Sequence, residues 1–314
     1  MKRLLSVLLL ALIVNGCDDG NLILDTINFD KAEVTSCSNG LIYKLNDKES
    51  LIIDIPTTTF ENKTNSQEVF ISTSNRVVYR FYSGAVAADN ICETIPPATP
   101  SVIDQWTASA GTIKINTTAI KTTNTTTNST RITGYNHAIS FANITFAKST
   151  GNQVYETFPF GDYKTTISAL AFGFDTTLEQ CSTSKEVYNY NNSEALTLAI
   201  DPNLIKNEIT PLDSPRKGII GATVNKLIYR LYTNGILTPS YFCGTTIPLL
   251  PTVSEEWVAA AGVTDVSGII EVTTTTNANG FKHTIVLKKV KFKNGTDDFL
   301  LGDTFAFGEL LTTN

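Results

Sequence analysis

The sequence predicts an all-β protein built from two tandem homologous domains, each an antiparallel β-sandwich or barrel-like fold with one short α-helix. Short β-branched or alternating runs are separated by turn residues about every dozen positions, which is typical of such folds. Landmark residues recur after about 147 positions, which is too long for a solenoid repeat. The chain has 314 residues, 42% of them hydrophobic, enough for two separate cores.

The duplication is visible as matched residues that occur in the same order in both halves. The matched pairs are Asn75–Tyr82 with Asn225–Tyr232, Cys92 with Cys243, Trp106 with Trp257, and His137 with His283. We therefore expect a first β domain over residues 22–162 and a second over residues 163–314. Because there is almost no linker between them, the two domains should touch and move little relative to each other.

The strand pattern also predicts particular connections. Alternating or β-branched runs include Leu51–Ile55, Val77–Tyr82, Ile269–Thr273 and Thr284–Leu287. Asn277–Gly280 predicts a hairpin turn, because Asn and Gly tolerate positive φ. In the segment 116–130, 12 of 15 residues are Asn, Ser or Thr, so we expect an exposed, mobile loop. Pro159 lacks an amide donor, which places its strand at a sheet edge.

One short helix is expected in each copy. Ser101–Asp104 and Thr252–Glu255 match the capping-box pattern, in which a hydroxyl and a carboxylate satisfy the first backbone amides of a helix. A glycine ten residues after each start would end the helix in a left-handed conformation. Trp106 and Trp257 lie on apolar stripes of four-residue spacing, so we expect both to pack on the sheet rather than to stack on a sugar ring.

The cysteines follow the duplication. Of the five, Cys17 lies in the leader, and the other four are distributed two to each copy. Four cysteines allow three pairings, and the duplication favours Cys37 with Cys92 and Cys181 with Cys243. Oxidation is available outside the inner membrane; the alternative is four buried free thiols.

The leader has the features of an export signal. Lys2 and Arg3 are followed by the apolar run Leu4–Val14, which is too short to span a bilayer as a helix. Val14–Cys17 resembles the bacterial lipobox. The resemblance implies that a signal peptide over residues 1–16 is removed and that Cys17 carries the lipid that anchors the protein to a membrane. The alternative is an ordinary secretory signal with a chance cysteine.

The residues after the lipobox bear on localisation. Residues 17–21 contain Asp18 and Asp19 and resemble the acidic tether of Bacteroidota-type cell-surface lipoproteins. That resemblance implies a lipid-anchored outer-membrane protein at the cell surface. In enterobacterial lipoproteins an aspartate after the cysteine implies retention at the inner membrane instead. We favour the surface interpretation, and a periplasmic orientation stays open.

Composition and motifs argue against several function classes. The 24 Lys+Arg against 30 Asp+Glu residues give a net charge of −6, so no nucleic-acid partner is expected. No nucleophile elbow, zinc-binding helix or phosphate-binding loop occurs, so we predict no catalytic, cofactor-binding or metal-binding residue. We interpret His137 and His283 as strand residues, and Arg80 and Arg230 as stacked or ion-paired structural residues. Asn294–Asp298 looks like a calcium loop, but the first copy lacks its acidic residues, so we expect a turn.

These observations favour a non-enzymatic, lipid-anchored binding or adhesion module for a glycan or a protein ligand. Two similar β domains on one anchor suit bivalent attachment. One alternative is an accessory subunit of an outer-membrane uptake complex, which would expose a large apolar patch. Another is a hydrolase with an unrecognised site, which would hold two carboxylates about 5 to 10 Å apart in a cleft.

Overall fold

The computed structural model describes residues 27–313. The predicted signal peptide (1–16), the acidic tether (17–21) and lipid attachment at Cys17 lie outside the described residues. The fold is all-β, as predicted: two large sheets are accompanied by two short α-helices and two 3₁₀ turns in the described part of the chain. Among these residues, no helix is both long and apolar enough to cross a membrane.

The first sheet has eight strands. They are β1 (Thr35–Ser36), β2 (Ile42–Asn46), β3 (Glu49–Asp54), β4 (Asn65–Phe70), β5 (Arg76–Tyr82), β6 (Val102–Asn124), β7 (Ser129–Lys148) and β8 (Gly151–Thr166). Their order is β1, β2, β3, β5, β6, β7, β8, and their pairings are antiparallel. The 23-residue β6 pairs with β5 along its first part and with β4 along its second. The sheet therefore folds back on itself and encloses a core that includes Leu51, Ile113 and Phe141.

The second sheet has eleven strands. They are β9 (Thr177–Gln180), β10 (Val187–Tyr190), β11 (Glu194–Ala199), β12 (Arg216–Ile219), β13 (Lys226–Thr233), β14 (Thr252–Ala259), β15 (Ile269–Asn277), β16 (Gly280–Lys288), β17 (Lys291–Asn294), β18 (Asp297–Leu300) and β19 (Phe305–Thr313). Their order is β12, β15, β16, β19, β9, β10, β11, β13, β14, β17, β18. β19 pairs in parallel with β9, which connects the two layers of a sandwich-like arrangement. Their shared core includes Leu196, Tyr229, Ile270 and Ile285.

Each long strand of the first sheet corresponds to two shorter strands of the second. β6 matches β14 and β15, β7 matches β16 and β17, and β8 matches β18 and β19. The backbone bends at matching points, with φ values of 50° at Asn143 and 49° at Lys289, and of 129° at Gly161 and 149° at Gly308. The first sheet continues to Thr166, beyond residue 162, and the division into two domains stays a prediction.

The predicted helices at Ser101–Asp104 and Thr252–Glu255 are wrong. β6 begins at Val102 and β14 at Thr252, so strands run where the helices were expected. A spacing of four residues is even, so it places side chains on one face of a strand as well as of a helix. Trp106 is accordingly buried between exposed neighbours. The actual helices are α1 (Asp89–Cys92) and α2 (Pro239–Cys243), one in each half.

The predicted loop at 116–130 is also wrong. β6 continues to Asn124 and β7 begins at Ser129, so a tight turn is all that separates the two strands. Threonine is β-branched and fits a pleated strand, so a Thr-rich segment can pair even when it contributes little to a core. Thr117 is buried within this segment.

Other sequence predictions are confirmed. Cys37 is bonded to Cys92, and Cys181 to Cys243. Asn277 and Gly280 close the hairpin between β15 and β16. Pro159 lies in β8, the edge strand of the first sheet.

Loss of the first disulfide should lower stability substantially. The Cys37–Cys92 bond closes a sequence separation of 55 residues, and constraint of the unfolded chain by such a loop contributes about 4 kcal/mol. We expect the double variant Cys37→Ala/Cys92→Ala to lose stability of that order in urea unfolding. The matched control is Cys181→Ala/Cys243→Ala, with a separation of 62 residues and a similar expected loss. A loss below about 1 kcal/mol in both would contradict the entropic account.

Candidate functional site

The two histidines are buried strand residues with equivalent partners. In the first half, His137 Nδ1 lies 2.9 Å from Thr117 Oγ1, and Nε2 lies 3.2 Å from Thr165 Oγ1. The Thr165 hydroxyl donates to Asn62 Oδ1 at 3.1 Å, so it accepts from Nε2–H. This leaves Nδ1 as the acceptor of the Thr117 hydroxyl, and the neutral imidazole is fully hydrogen-bonded.

The second half repeats this network. His283 Nδ1 lies 2.8 Å from Thr274 Oγ1, and Nε2 lies 3.0 Å from Thr312 Oγ1. The Thr312 hydroxyl donates to Asn207 Oδ1 at 2.6 Å. Burial lowers the pKa of both histidines, and for His283 the nearby Arg216 guanidinium lowers the pKa further. Both imidazoles therefore join strands of the sheet and serve structure, in agreement with the sequence interpretation.

The buried imidazoles should make folding stability depend on pH. Because the folded-state pKa of each is lowered, the unfolded chain binds protons first as the pH falls below the ordinary value of 6.5. Their contribution is complete above that pH and is lost below it, with a slope of up to about 1.4 kcal/mol per pH unit for each histidine. Urea unfolding between pH 8 and pH 5 measures this slope. It should be much smaller in His137→Gln/His283→Gln, and equal slopes in both proteins would contradict the assignment.

The arginines and tryptophans have structural partners as well. Arg230 Nε donates to Glu256 Oε2 at 2.7 Å, and Arg80 Nε donates to Gln105 Oε1 at 2.8 Å. Both are cross-strand contacts, as expected for structural arginines. Both indoles are buried and packed on the sheet, as predicted. Trp257 Nε1 donates to a carboxylate two residues earlier in the chain, Glu255 Oε2, at 3.0 Å.

The two sheets meet along β7 and β18. Asp297, in β18, accepts hydrogen bonds at Oδ2 from the backbone amide of Thr64 at 3.1 Å and from the Tyr135 hydroxyl at 3.2 Å. The Lys121 ammonium forms an ion pair with Asp298 at 2.6 Å, and hydrogen bonding by this lysine lowers the pKa of Asp298. These bonds join the first half of the chain to the second.

Apolar and cationic contacts complete this junction. Ile132 and Tyr135, from β7, are part of the core of the second sheet. The Arg131 guanidinium lies over the rings of Phe172 and Phe299, at 4.8 and 5.4 Å from their centroids. The two halves therefore share buried apolar surface as well as hydrogen bonds.

A cavity of about 350 Å³ lies at this junction. Its polar lining combines residues of both halves: Asn62, Lys63 and Tyr135 from the first, and Glu255, Asn294 and Asp297 from the second. Trp257, Phe299 and Leu231 form an apolar side. Ligand sites typically combine an apolar wall with a few placed polar groups and lie at interfaces between domains. This cavity is the candidate site.

Asp297 is the most unusual residue of the cavity lining. It is 4% exposed, and its Oδ1 is buried without a hydrogen-bond partner among the described residues. Burial, together with the neighbouring Asp297 carboxylate, raises the pKa of Tyr135, so the phenol stays protonated and can donate. A buried carboxylate oxygen without a donor is costly, so a ligand that supplies a donor would remove that cost.

Two larger grooves are less suited to a specific ligand. One, of about 790 Å³, is lined by Tyr188, Tyr190 and neighbouring polar residues, and the Tyr188 hydroxyl already donates to Glu179 at 2.7 Å. The other, of about 680 Å³, is lined by Asp30, Lys44 and Asp162. The Lys44 ammonium already donates to a backbone carbonyl at 2.8 Å. Both grooves are open to solvent, and the Tyr188 hydroxyl and the Lys44 ammonium are already bonded within the protein.

Sequence reasoning did not identify the candidate site. It assigned Asn294–Asp298 to a turn, and the structure does have a turn at Gly295 and Thr296, between β17 and β18. Asp297 is the first residue of β18, and its contact with Tyr135 could not be foreseen. One signal was present: the first half has Gly151 where the second has Asp297. Within residues 27–313, no group of three or more His, Cys, Asp or Glu side chains is arranged to hold a metal ion.

Comparison with known proteins adds no relative. No protein-family model matches the chain, and neither the curated proteins nor the solved structures contain a significant match.

Proposed function

We propose that the chain is a lipid-anchored envelope protein that binds a glycan or protein ligand in the cavity between its two sheets, without catalysing a reaction. The observation that carries the proposal is the buried Asp297 carboxylate, one oxygen of which has no donor within the described residues. Aromatic rings beside polar groups suit recognition of either ligand type. The lipobox resemblance at Val14–Cys17 supports the anchor.

A hydrolase is the second candidate, because Glu255 and Asp297 are two carboxylates that line one cavity. Glycosidases hold their general acid in apolar surroundings that keep it protonated, whereas Glu255 is exposed. Oδ2 of Asp297 already accepts from the Thr64 amide and the Tyr135 hydroxyl, so this oxygen is not free to act on a substrate. These contacts favour binding over acid catalysis.

The accessory-subunit alternative also has an observation in its favour. Ile247, Leu249 and Leu250 lie in the segment after the second disulfide and are largely exposed, Leu249 to 93%. Ile95 is exposed in the matching segment of the first half. Such residues suit an apolar protein partner.

Binding should depend on the junction cavity. We expect a glycan array or a pull-down with the fragment starting at Asp18 to show a saturable ligand. Glu255→Gln and Asp297→Asn should each weaken binding about tenfold or more, because each removes a charge-assisted acceptor. The matched control is Asp104→Asn. Asp104 accepts from the Trp106 indole in the first half, as Glu255 accepts from the Trp257 indole in the second. This variant should leave the affinity for the ligand unchanged.

Other outcomes would select another function. Equal loss in the control would exclude the cavity as the site. Release of shortened glycan by the parent protein, abolished in Glu255→Gln, would favour the hydrolase. Enrichment of one transporter that is lost in Leu249→Ser/Leu250→Ser, with no saturable glycan, would favour the uptake subunit.

The anchor can be tested separately. We expect radioactive palmitate to label the full-length protein in its bacterial host and Cys17→Ala to abolish the label, because the thioether forms on that sulfur. Labelling that persists in the variant would contradict lipid attachment at Cys17.

A further inference from the structure

In the first half of the chain, the ammonium group of Lys148 lies at the position that is equivalent to the cavity beside Trp257 in the second half. Lys148 Nζ lies 4.2 Å from the centroid of the Trp106 ring, and the indole of Trp106 donates to Asp104 Oδ2 at 2.7 Å. A cation near an indole ring is attracted by the ring electrons. At this end of β7, the Trp106 indole thus contacts both a carboxylate and an ammonium, and the ammonium donates to Gln153 Oε1 at 3.1 Å.

The second half retains two of these three groups. Trp257 donates to Glu255 as Trp106 does to Asp104. Strand register identifies the position of the lysine: Lys148 pairs with Gly151 in the first sheet, and Asn294 pairs with Asp297 in the second. The second half has therefore exchanged the lysine for an asparagine and the glycine for an aspartate.

This exchange removes one positive charge and adds one negative charge at the same place. The added carboxylate is the one whose Oδ1 has no donor within the described residues. It lines the cavity together with Trp257, Glu255 and Asn294. Phe299 replaces Gln153 and packs edge-on against Trp257 at 5.1 Å, so the open space lies beside both rings.

We propose that the cavity binds a ligand that carries a primary ammonium group, which donates to Asp297 Oδ1 beside the Trp257 ring, as a counterpart of Lys148 in the first half. The inference rests on the proposed function, because it names the chemical class of ligand for the same cavity. An alkyl chain behind the ammonium would lie against Leu231 and Phe299.

Lys63 lines the cavity, and Arg131 lies over the ring of Phe299 in its wall. Arg131 Nη1 donates to the carbonyls of Thr130 and Leu300 at 2.8 and 3.2 Å, so its guanidinium is held by backbone acceptors. Lys63 lines the cavity and is exposed, and it forms no ion pair with a described residue. A ligand ammonium would therefore face the like charge of Lys63 in the cavity lining, and removal of that charge should tighten binding.

The probe is n-butylammonium, with n-butanol as its neutral counterpart at equal ionic strength. The chain has two tryptophans, so Trp106→Phe in the full-length protein makes Trp257 the sole reporter. We expect a saturable change of Trp257 fluorescence with butylammonium, and an affinity at least about tenfold weaker for butanol. Asp297→Asn in this background should lose about tenfold or more, and Lys63→Gln should bind more tightly.

The matched control is Trp257→Phe, which leaves Trp106 beside Lys148 and should show no saturable change. Unchanged thermal unfolding and near-ultraviolet circular dichroism establish that Asp297→Asn is folded. Equal affinity for both probes, or no response from Trp257, would overturn the ammonium assignment. If Lys63→Gln bound butylammonium and its parent did not, the ammonium assignment would be overturned too. The Lys63 ammonium itself would then occupy the site in the parent protein. If butylammonium failed to bind as expected but a glycan or protein still bound in a way that depended on the cavity residues, the proposed function would remain intact.

Discussion

The carboxylate of Asp297 is the contact on which the junction between the two sheets depends. One of its oxygens accepts from the Thr64 amide and from the Tyr135 hydroxyl, both of which belong to the first half. Such charge-assisted bonds are stronger than neutral ones, and they offset part of the cost of burying the charge. The same side chain lines the cavity, so the bonds that position the sheets also shape the candidate site.

Comparison of the halves separates what the fold requires from what the site requires. Both halves have a disulfide that ends a short helix, an imidazole between two threonines, and an indole that donates to a carboxylate. Of these features, the imidazole–threonine bonds join neighbouring strands in each sheet. The differences at Lys148 against Asn294, and at Gly151 against Asp297, fall where the second sheet meets the first. The shared features are therefore kept in both halves, whereas these two positions differ at the junction.

Much of the fold could be predicted, because its signals are local or repeated. Turn chemistry identified the hairpin at Asn277–Gly280, and matched cysteines identified both disulfides. The helix prediction failed at Trp106 because a four-residue spacing fits both the periodicity of a helix and that of a strand. The pairing of β5 with β6 identifies the segment as a strand. Composition alone predicts a loop at 116–130, because it does not take account of the preference of threonine for strands.

The candidate site could not be predicted, since its groups come from distant parts of the chain. Thr64 and Asp297 are 233 positions apart, and no periodicity relates a turn before β4 to the first residue of β18. The sequence showed only mismatches between the corresponding hairpins, among them Gly151 against Asp297. In a duplicated chain, each half can be compared with the other. A residue that differs between equivalent positions is not required by the fold that the halves share.

The unsatisfied Oδ1 gives that mismatch an energetic meaning. A buried acceptor without a donor costs about 1–3 kcal/mol, and more when it is charged, which is a large fraction of the stability of a typical domain. Glycine at this position avoids the cost, as Gly151 does in the first half. Asp297 instead presents an anionic acceptor beside the aromatic wall of the cavity, while its other oxygen holds the junction together.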